Sequence, residues 1–153
     1  MRKNLEKEEM EEMLFSNYIG HLGFILQGRP YVMPITYHFD KVHNAIISYS
    51  GEGLKLKALR KNNAVSMEVE EIATVGNWKS VLVHGTFEEI HGSDAKLQLH
   101  HFAEGVKSII TKKEGNRPNS IKEFSARIAA DKIPVVFRIK ILEMTGKQKG
   151  ILN

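Results

Sequence analysis

The sequence predicts a mainly β fold with helices (α+β), namely a six-stranded antiparallel β-barrel in a single domain spanning residues 1–153. Three observations lead there. Six stretches have the apolar, β-branched or alternating composition of strands, and turns containing Gly, Pro or Asn separate them. Five of these come in succession with one short helical run among them, a meander that closes most easily into a small barrel. A length of 153 residues, 42% apolar and 26% charged, suits one domain with a substantial core.

From about Leu5 to Phe15 the spacing predicts an amphipathic helix packed as a lid. Leu5, Met10, Met13 and Leu14 share one side, while Glu6, Glu8, Glu9, Glu11 and Glu12 face water. Ile19 to Leu26 and Tyr31 to Phe39 then read as an antiparallel hairpin around Gln27-Gly28-Arg29-Pro30. Pro34 inside the second strand cannot donate a ladder hydrogen bond, so that strand is expected at an edge or bulged there. Ala45 to Ser50 is the third strand. A short helix-prone run from Leu56 to Lys61 follows the Gly-rich turn, closed by Asn62-Asn63 in the left-handed conformation that Asn tolerates.

Ala64 to Glu70 is the fourth strand, with Val65, Met67 and Val69 alternating against Ser66, Glu68 and Glu70. Trp78 precedes the fifth, Lys79 to Ile90, at a rim where packing or stacking would each suit it. Gly85 in mid-strand predicts a bend or the close approach of another backbone. Ser93-Asp94 is expected to cap a helix carrying Leu97, His101 and Val106 on one face, followed by a polar loop over Lys112–Asn119 and a second helix over Ser120–Ala130. Pro134 to Thr145 is the last strand and completes the barrel.

Composition narrows the function. There is no cysteine, which excludes disulfides and thiolate metal sites. The 7 histidines form no i,i+4 pair on a predicted helix and no metalloprotease motif, so no metal is expected. No Gly-x-Ser-x-Gly elbow and no Walker loop is present. The first residues lack the apolar core of a signal peptide, and no apolar run approaches the ~20 residues of a membrane span. A cytoplasmic protein without a membrane partner is the expectation. From Ser93 onward there are 12 Lys/Arg against 6 Asp/Glu, but no long basic run or reading helix, so nucleic acid is not the expected partner.

One stretch invites a ligand. Ala45-Ile46-Ile47 runs into Ser48-Tyr49-Ser50-Gly51-Glu52-Gly53-Leu54-Lys55 and then into the short helix. A strand that breaks through glycines into a helix N-terminus presents free N–H groups and a favourable dipole to an anion. Lys55 in the first turn is unfavourable against that dipole unless an anion sits nearby. A plain strand–turn–helix connection with a solvated lysine accounts for the same residues.

Six segments in order resemble the pyridoxamine 5'-phosphate oxidase-like split-barrel flavoproteins, particularly the branch that includes nitroimidazole-resistance proteins. Ile19-Gly20-His21-Leu22-Gly23-Phe24 is similar to the family's first strand, and Gly28-Arg29-Pro30-Tyr31-Val32-Met33-Pro34-Ile35 to its G-x-P-x-x-x-P hairpin. Ser50 to Leu59 resembles its phosphate-binding G-x-K turn and helix. Asn62 to Val69 resembles the N-P-x-V-x-x-x-V strand, Ser80 to Thr86 the S-V-x-x-x-G strand, and Phe137 to Lys147 the last strand.

The resemblance implies a six-stranded split barrel that binds FMN at a homodimer interface and acts as a small oxidoreductase on a small-molecule substrate or electron acceptor. Ser50, Gly53 and Lys55 would meet the phosphate, with Ser48 and Tyr49 leading into the turn. Backbone around Pro34, Ile35, Thr36 and Tyr37 would face the isoalloxazine ring. Trp78, Ser80 and Val81 would line the ring or ribityl chain, from this or the other subunit. The flavin would carry the redox step, so no obligatory catalytic side chain is expected. A non-catalytic flavin- or haem-binding module is the alternative on the same fold.

Two departures matter. Ser48 stands where several nitroimidazole-resistance relatives carry a histidine, and Asn63-Ala64 replaces Asn-Pro. The C-terminal Trp and Arg motif of true pyridoxamine-phosphate oxidases has no counterpart after Gly146, so vitamin B6 oxidation is not expected.

Overall fold

The structure is a computed structural model and describes residues 2–115 and 135–150. The expected helix over Ser120–Ala130, the second half of the polar loop before it (116–119), and Pro134 lie outside the described residues. The elements in chain order are β1 (Arg2–Asn4), α1 (Lys7–Ser16), β2 (Ile19–Leu26), β3 (Arg29–Thr36), β4 (His38–Asp40), β5 (Ala45–Ser50), α2 (Leu54–Lys61), β6 (Ala64–Thr74), β7 (Asn77–Ile90), α3 (Gly92–Glu114) and β8 (Val135–Lys149).

All strands join one 8-stranded sheet in the order β3-β2-β6-β7-β8-β5-β4, with β1 beside β8. Every pairing is antiparallel. Five of the six expected strands appear as β2, β5, β6, β7 and β8, the expected Tyr31–Phe39 strand is broken at Tyr37 into β3 and the 3-residue β4, and the 3-residue β1 is an addition. The sheet is not closed by hydrogen bonds. Its two terminal strands, β3 and β4, are consecutive in sequence and separated only by Tyr37, so the chain itself bridges the split. Tyr37 is fully buried. Its N–H donates to the Tyr18 carbonyl at 2.9 Å, and its hydroxyl to the Leu14 carbonyl at 2.7 Å.

Alternation does the sorting expected of it. Val65, Met67 and Val69 on β6 and Val81, Val83 and Phe87 on β7 point inward and are buried, with Leu22, Phe39, Ile46, Phe137 and Ile139 among the same core. α1 adds Met10, Met13 and Leu14 to that core, and α2 adds Leu56, Ala58 and Leu59. A second cluster lies under α3, where Phe102, Val106 and Ile110 pack on Ala45, Ile47, Ile90 and Val136. Pro34 sits on β3, an end strand of the sheet, which needs no outward hydrogen bond there.

Gly85 marks the close approach that its position predicts. A Cβ there would come within 2.7 Å of Ile139 Cγ2 and closer still to the Lys140 carbonyl oxygen. The register between β7 and β8 shifts at this point, His84 pairing with Glu143 and Gly85 with Ile141. Leu142 is thereby the extra residue of a bulge on β8.

Several local expectations are corrected. Asn62 ends α2 in extended backbone, φ −136° and ψ 103°, because β6 begins two residues later. Its N–H nevertheless closes the helix on the Ala58 carbonyl at 2.9 Å. β7 starts at Asn77, so Trp78 is inside the strand, paired with Ile72 and Lys149. α3 starts at Gly92 with His91 as N-cap, placing Ser93 and Asp94 inside it rather than at its cap. It runs through Lys112 and Lys113 to Glu114, where a loop was expected. Its buried face is Phe102, Val106, Ile109 and Ile110, while Leu97 and His101 are exposed. The contacts set the face: α3 settles on β4, β5 and β8 through its middle and later turns. There Gly105 leaves no room for a side chain against the His38 ring.

Two substitutions test this frame. Tyr37→Phe leaves the buried Leu14 carbonyl without its hydroxyl donor and is expected to cost about 1–3 kcal/mol, read by urea unfolding. Gly85→Ala forces a methyl into β8 and is expected to cost at least about 1–3 kcal/mol, with an unchanged fold by circular dichroism if the bulge at Leu142 absorbs the shift.

Candidate functional site

β5 carries the expected site residues into the Gly-rich turn. Ser48, Tyr49 and Ser50 pair with Phe137, Val136 and Val135 on β8. Ser48 is buried, and its hydroxyl donates to the Thr36 carbonyl at 2.7 Å. This bond ties the start of the turn to the end of β3 and brings Pro34, Ile35, Thr36 and Tyr37 beside Ser48–Ser50. Ser48 faces inward and offers no acid–base group. Ile35 and Tyr37 are buried and Pro34 is exposed. Tyr49 lies edge-on against Phe102 of α3, ring centroids 5.4 Å apart. The Ser50 hydroxyl donates to the Gly51 carbonyl at 3.0 Å.

The turn itself fits an anion. Gly53, the N-cap of α2, is extended at φ 169°, a backbone that any residue adopts. A Cβ on it would meet nothing within 4 Å. The chain therefore gives no steric reason for glycine there, whereas a ligand seated against its backbone would fill that space. The first turn of α2 is closed by the Lys57 N–H on the Gly53 carbonyl at 3.1 Å, leaving the preceding N–H groups at the helix start. Lys55 is half-buried, and burial lowers its pKa from the ordinary lysine value. No carboxylate pairs with it among the described residues.

Trp78, Ser80 and Val81 belong to a separate part of the sheet. Val81 is buried in the barrel, while Trp78 and Ser80 are half-buried. Ser80 pairs with Glu70 on one side and Lys147 on the other. Between the two groups runs a registered row across the sheet: Pro34 opposite His21, His21 opposite Glu68, Glu68 opposite Leu82. Pro34 and Leu82 are thus three strand spacings apart, about 14 Å along the sheet. The structure brings the β3 and β5 residues together and leaves the β7 residues across β2 and β6 from β3 and across β8 from β5.

The intervening row contains a cluster that the sequence reading did not single out. His21 Nδ1 lies 3.4 Å from Glu68 Oε1 and 3.3 Å from Glu70 Oε2. Alternation places both glutamates on the outer face of β6, and cross-strand register adds His21, a pairing invisible without the register. Burial and the hydrogen bond and charge of Glu70 push the Glu68 carboxyl up to about 7, against the pull of His21. Elsewhere, an apolar groove of about 460 Å³ lined by Phe24, Ile25, Tyr31, Val32, His84 and Leu142 contains none of the expected site residues.

Glu68 gives this face a pH dependence. The folded chain holds its proton up to about pH 7, whereas the unfolded chain releases it near the ordinary value of 4.5. Folding stability from this group is therefore greatest at low pH and declines as pH rises through that window. Glu68→Gln is expected to flatten the decline, raising the melting temperature at about pH 8 relative to the unmutated chain and changing it little at about pH 5.

A family model described as pyridoxamine 5'-phosphate oxidase matches residues 6–148. Among solved structures, an FAD-binding protein from Mesorhizobium loti is 27% identical, with a TM-score of 0.75 over 99% of this chain and 98% of that one. A candidate 5-nitroimidazole antibiotic resistance protein from Bacteroides thetaiotaomicron is 20% identical, TM-score 0.68, covering 97% of this chain and 89% of its own. An FAD and heme binding protein from Mycobacterium smegmatis is 17% identical, TM-score 0.69, covering 98% and 74% respectively. The last two likenesses speak to the fold alone.

Proposed function

The chain belongs to the pyridoxamine 5'-phosphate oxidase family, and from that premise we propose that it is a flavin-binding protein with FMN as its cofactor. The carrying observation is the turn at Gly53: open space where a Cβ would go, a helix start behind it, and a half-buried Lys55 without a carboxylate partner among the described residues. A phosphate supplies the missing counter-charge and fills the space. Ser50, Gly53 and Lys55 would hold it. The backbone from Pro34 to Tyr37 would orient the ring system, and Trp78 and Ser80, with the backbone at Val81, would line it. A single turn of this kind suits the monophosphate of FMN; the FAD described for similar proteins is the competing flavin.

The cofactor, when bound, supplies the redox chemistry, and we read the chain as a small oxidoreductase acting on a small-molecule substrate or acceptor. The homodimer is part of the same reading. Exposed apolar residues Ile19, Val32, Ile72 and Leu142, on β2, β3, β6 and β8, and the apolar groove that Val32 and Leu142 help to line suit a second copy. That copy's β7 residues would then complete a site that β3 and β5 of the first begin.

Titration of the purified chain with FMN, FAD and riboflavin, followed by fluorescence quenching, tests the cofactor. FMN is expected to bind more tightly than riboflavin, and Lys55→Ala to weaken FMN by more than about tenfold, the loss of roughly 1.5–3 kcal/mol, with riboflavin unaffected. A chain that binds no flavin rules the reading out; a haem spectrum on purification favours the haem-binding alternative. Dithionite-reduced flavoprotein that reoxidises no faster with added acceptors than free reduced FMN would mark a non-catalytic carrier.

A further inference from the structure

Arg60 lies in the last turn of α2, yet its guanidinium reaches back to the turn that precedes the helix. Its Nη1 and Nη2 donate to the two carboxylate oxygens of Glu52 at 2.9 and 2.8 Å, and its Nε donates to Glu89 Oε1 at 2.7 Å. Glu52 is the neighbour of Gly53 and the only acidic residue between Ser48 and Arg60. An anionic side chain at that position would oppose any phosphate drawn to the Gly53 N–H and the Lys55 ammonium. The bidentate fork turns the carboxylate along the helix instead of toward the turn, and the bond to Glu89 fastens the arrangement to the end of β7. Among the described residues, no other cation pairs with Glu52.

We propose that Arg60 is a positioning residue for the flavin phosphate, holding the Glu52 carboxylate away from the turn that binds it. The inference rests on the cofactor reading above and deepens it: the site selects a phosphorylated flavin partly because its own acidic neighbour is tied off. The Arg60 guanidinium donates to Glu52 and Glu89, so its effect on the phosphate would run through Glu52. Lysine can neutralise Glu52 but cannot grip both oxygens, so Arg60→Lys should restore part of the effect.

The test compares FMN and riboflavin affinities for the full chain carrying Arg60→Ala, Arg60→Lys, and Arg60→Ala combined with Glu52→Gln. Arg60→Ala is expected to weaken FMN about three- to tenfold, as for an exposed charge pair and its network, and to leave riboflavin unchanged. Arg60→Lys should fall between it and the unmutated chain. The double variant should return to within about twofold, because the carboxylate that Arg60 restrained is gone. The FMN deficit should also shrink as salt is raised. If Arg60→Ala lowers the melting temperature, the double variant still decides the matter: a structural role leaves it as weak as Arg60→Ala, which overturns the inference. Equal losses for FMN and riboflavin, or no loss, also overturn it. An unmutated chain that binds neither flavin overturns the cofactor reading and this inference with it, whereas tight FMN binding indifferent to Arg60 overturns this inference alone.

Discussion

The fully buried Tyr37 is the residue on which the rest depends. The hydrogen-bonded order of the sheet runs from β3 to β4 without closing, and the covalent chain makes the join at this one position. Its N–H is satisfied by Tyr18 and its hydroxyl by Leu14, so strand ends, the end of α1 and the start of β2 meet on a single residue. Burial drives its phenol well above the ordinary tyrosine range, which keeps the hydroxyl a donor at any physiological pH. The neighbouring Thr36 carbonyl accepts from Ser48. Closure of the barrel and placement of the Gly-rich turn are therefore one constraint.

That coupling explains how the candidate site divides. Residues on β3, β5 and the turn converge because Tyr37 and Ser48 pull their backbones together. Trp78 and Ser80 lie on β7, separated from β3 by β2 and β6 and from β5 by β8, and His21, Glu68 and Glu70 form a cluster of their own on β2 and β6. The charges along the turn are arranged with equal economy. Glu52 is satisfied by Arg60 and Lys55 is left for something else.

Much of this was legible in the chain. The period-2 pattern of Val65, Met67 and Val69 assigns both a strand and a buried face, and Gly85 announces the crowding against β8. Order and spacing of six segments point to the family and to the Gly53–Lys55 turn. What escaped has physical causes. β1, Arg2–Asn4, is three residues long and exposed throughout, held to β8 by its ladder and by the Lys147 ammonium donating to Asn4 Oδ1, so no apolar pattern could reveal it. The face of α3 depends on where Gly105 lets it settle on His38, and its early turns, with Leu97, extend past the surface they would need to cover. The His21 cluster and the Arg60–Glu52 fork join residues 47, 49 and 8 positions apart, which only register and helix geometry bring together.

β8 has a consequence for how the molecule is made. It pairs with β7, with β5 and with β1, although it is the last of the described strands in sequence. As the chain emerges from the ribosome, β7 can zip only onto β6, and β5 only onto the three residues of β4, each with one ladder edge bare. The N-terminal residues must wait for partners nearly 150 positions downstream, Arg2 for Lys149. Such late, long-range pairing makes for slow completion, and in the interval the nascent chain exposes sheet edges of the kind that chaperones shield.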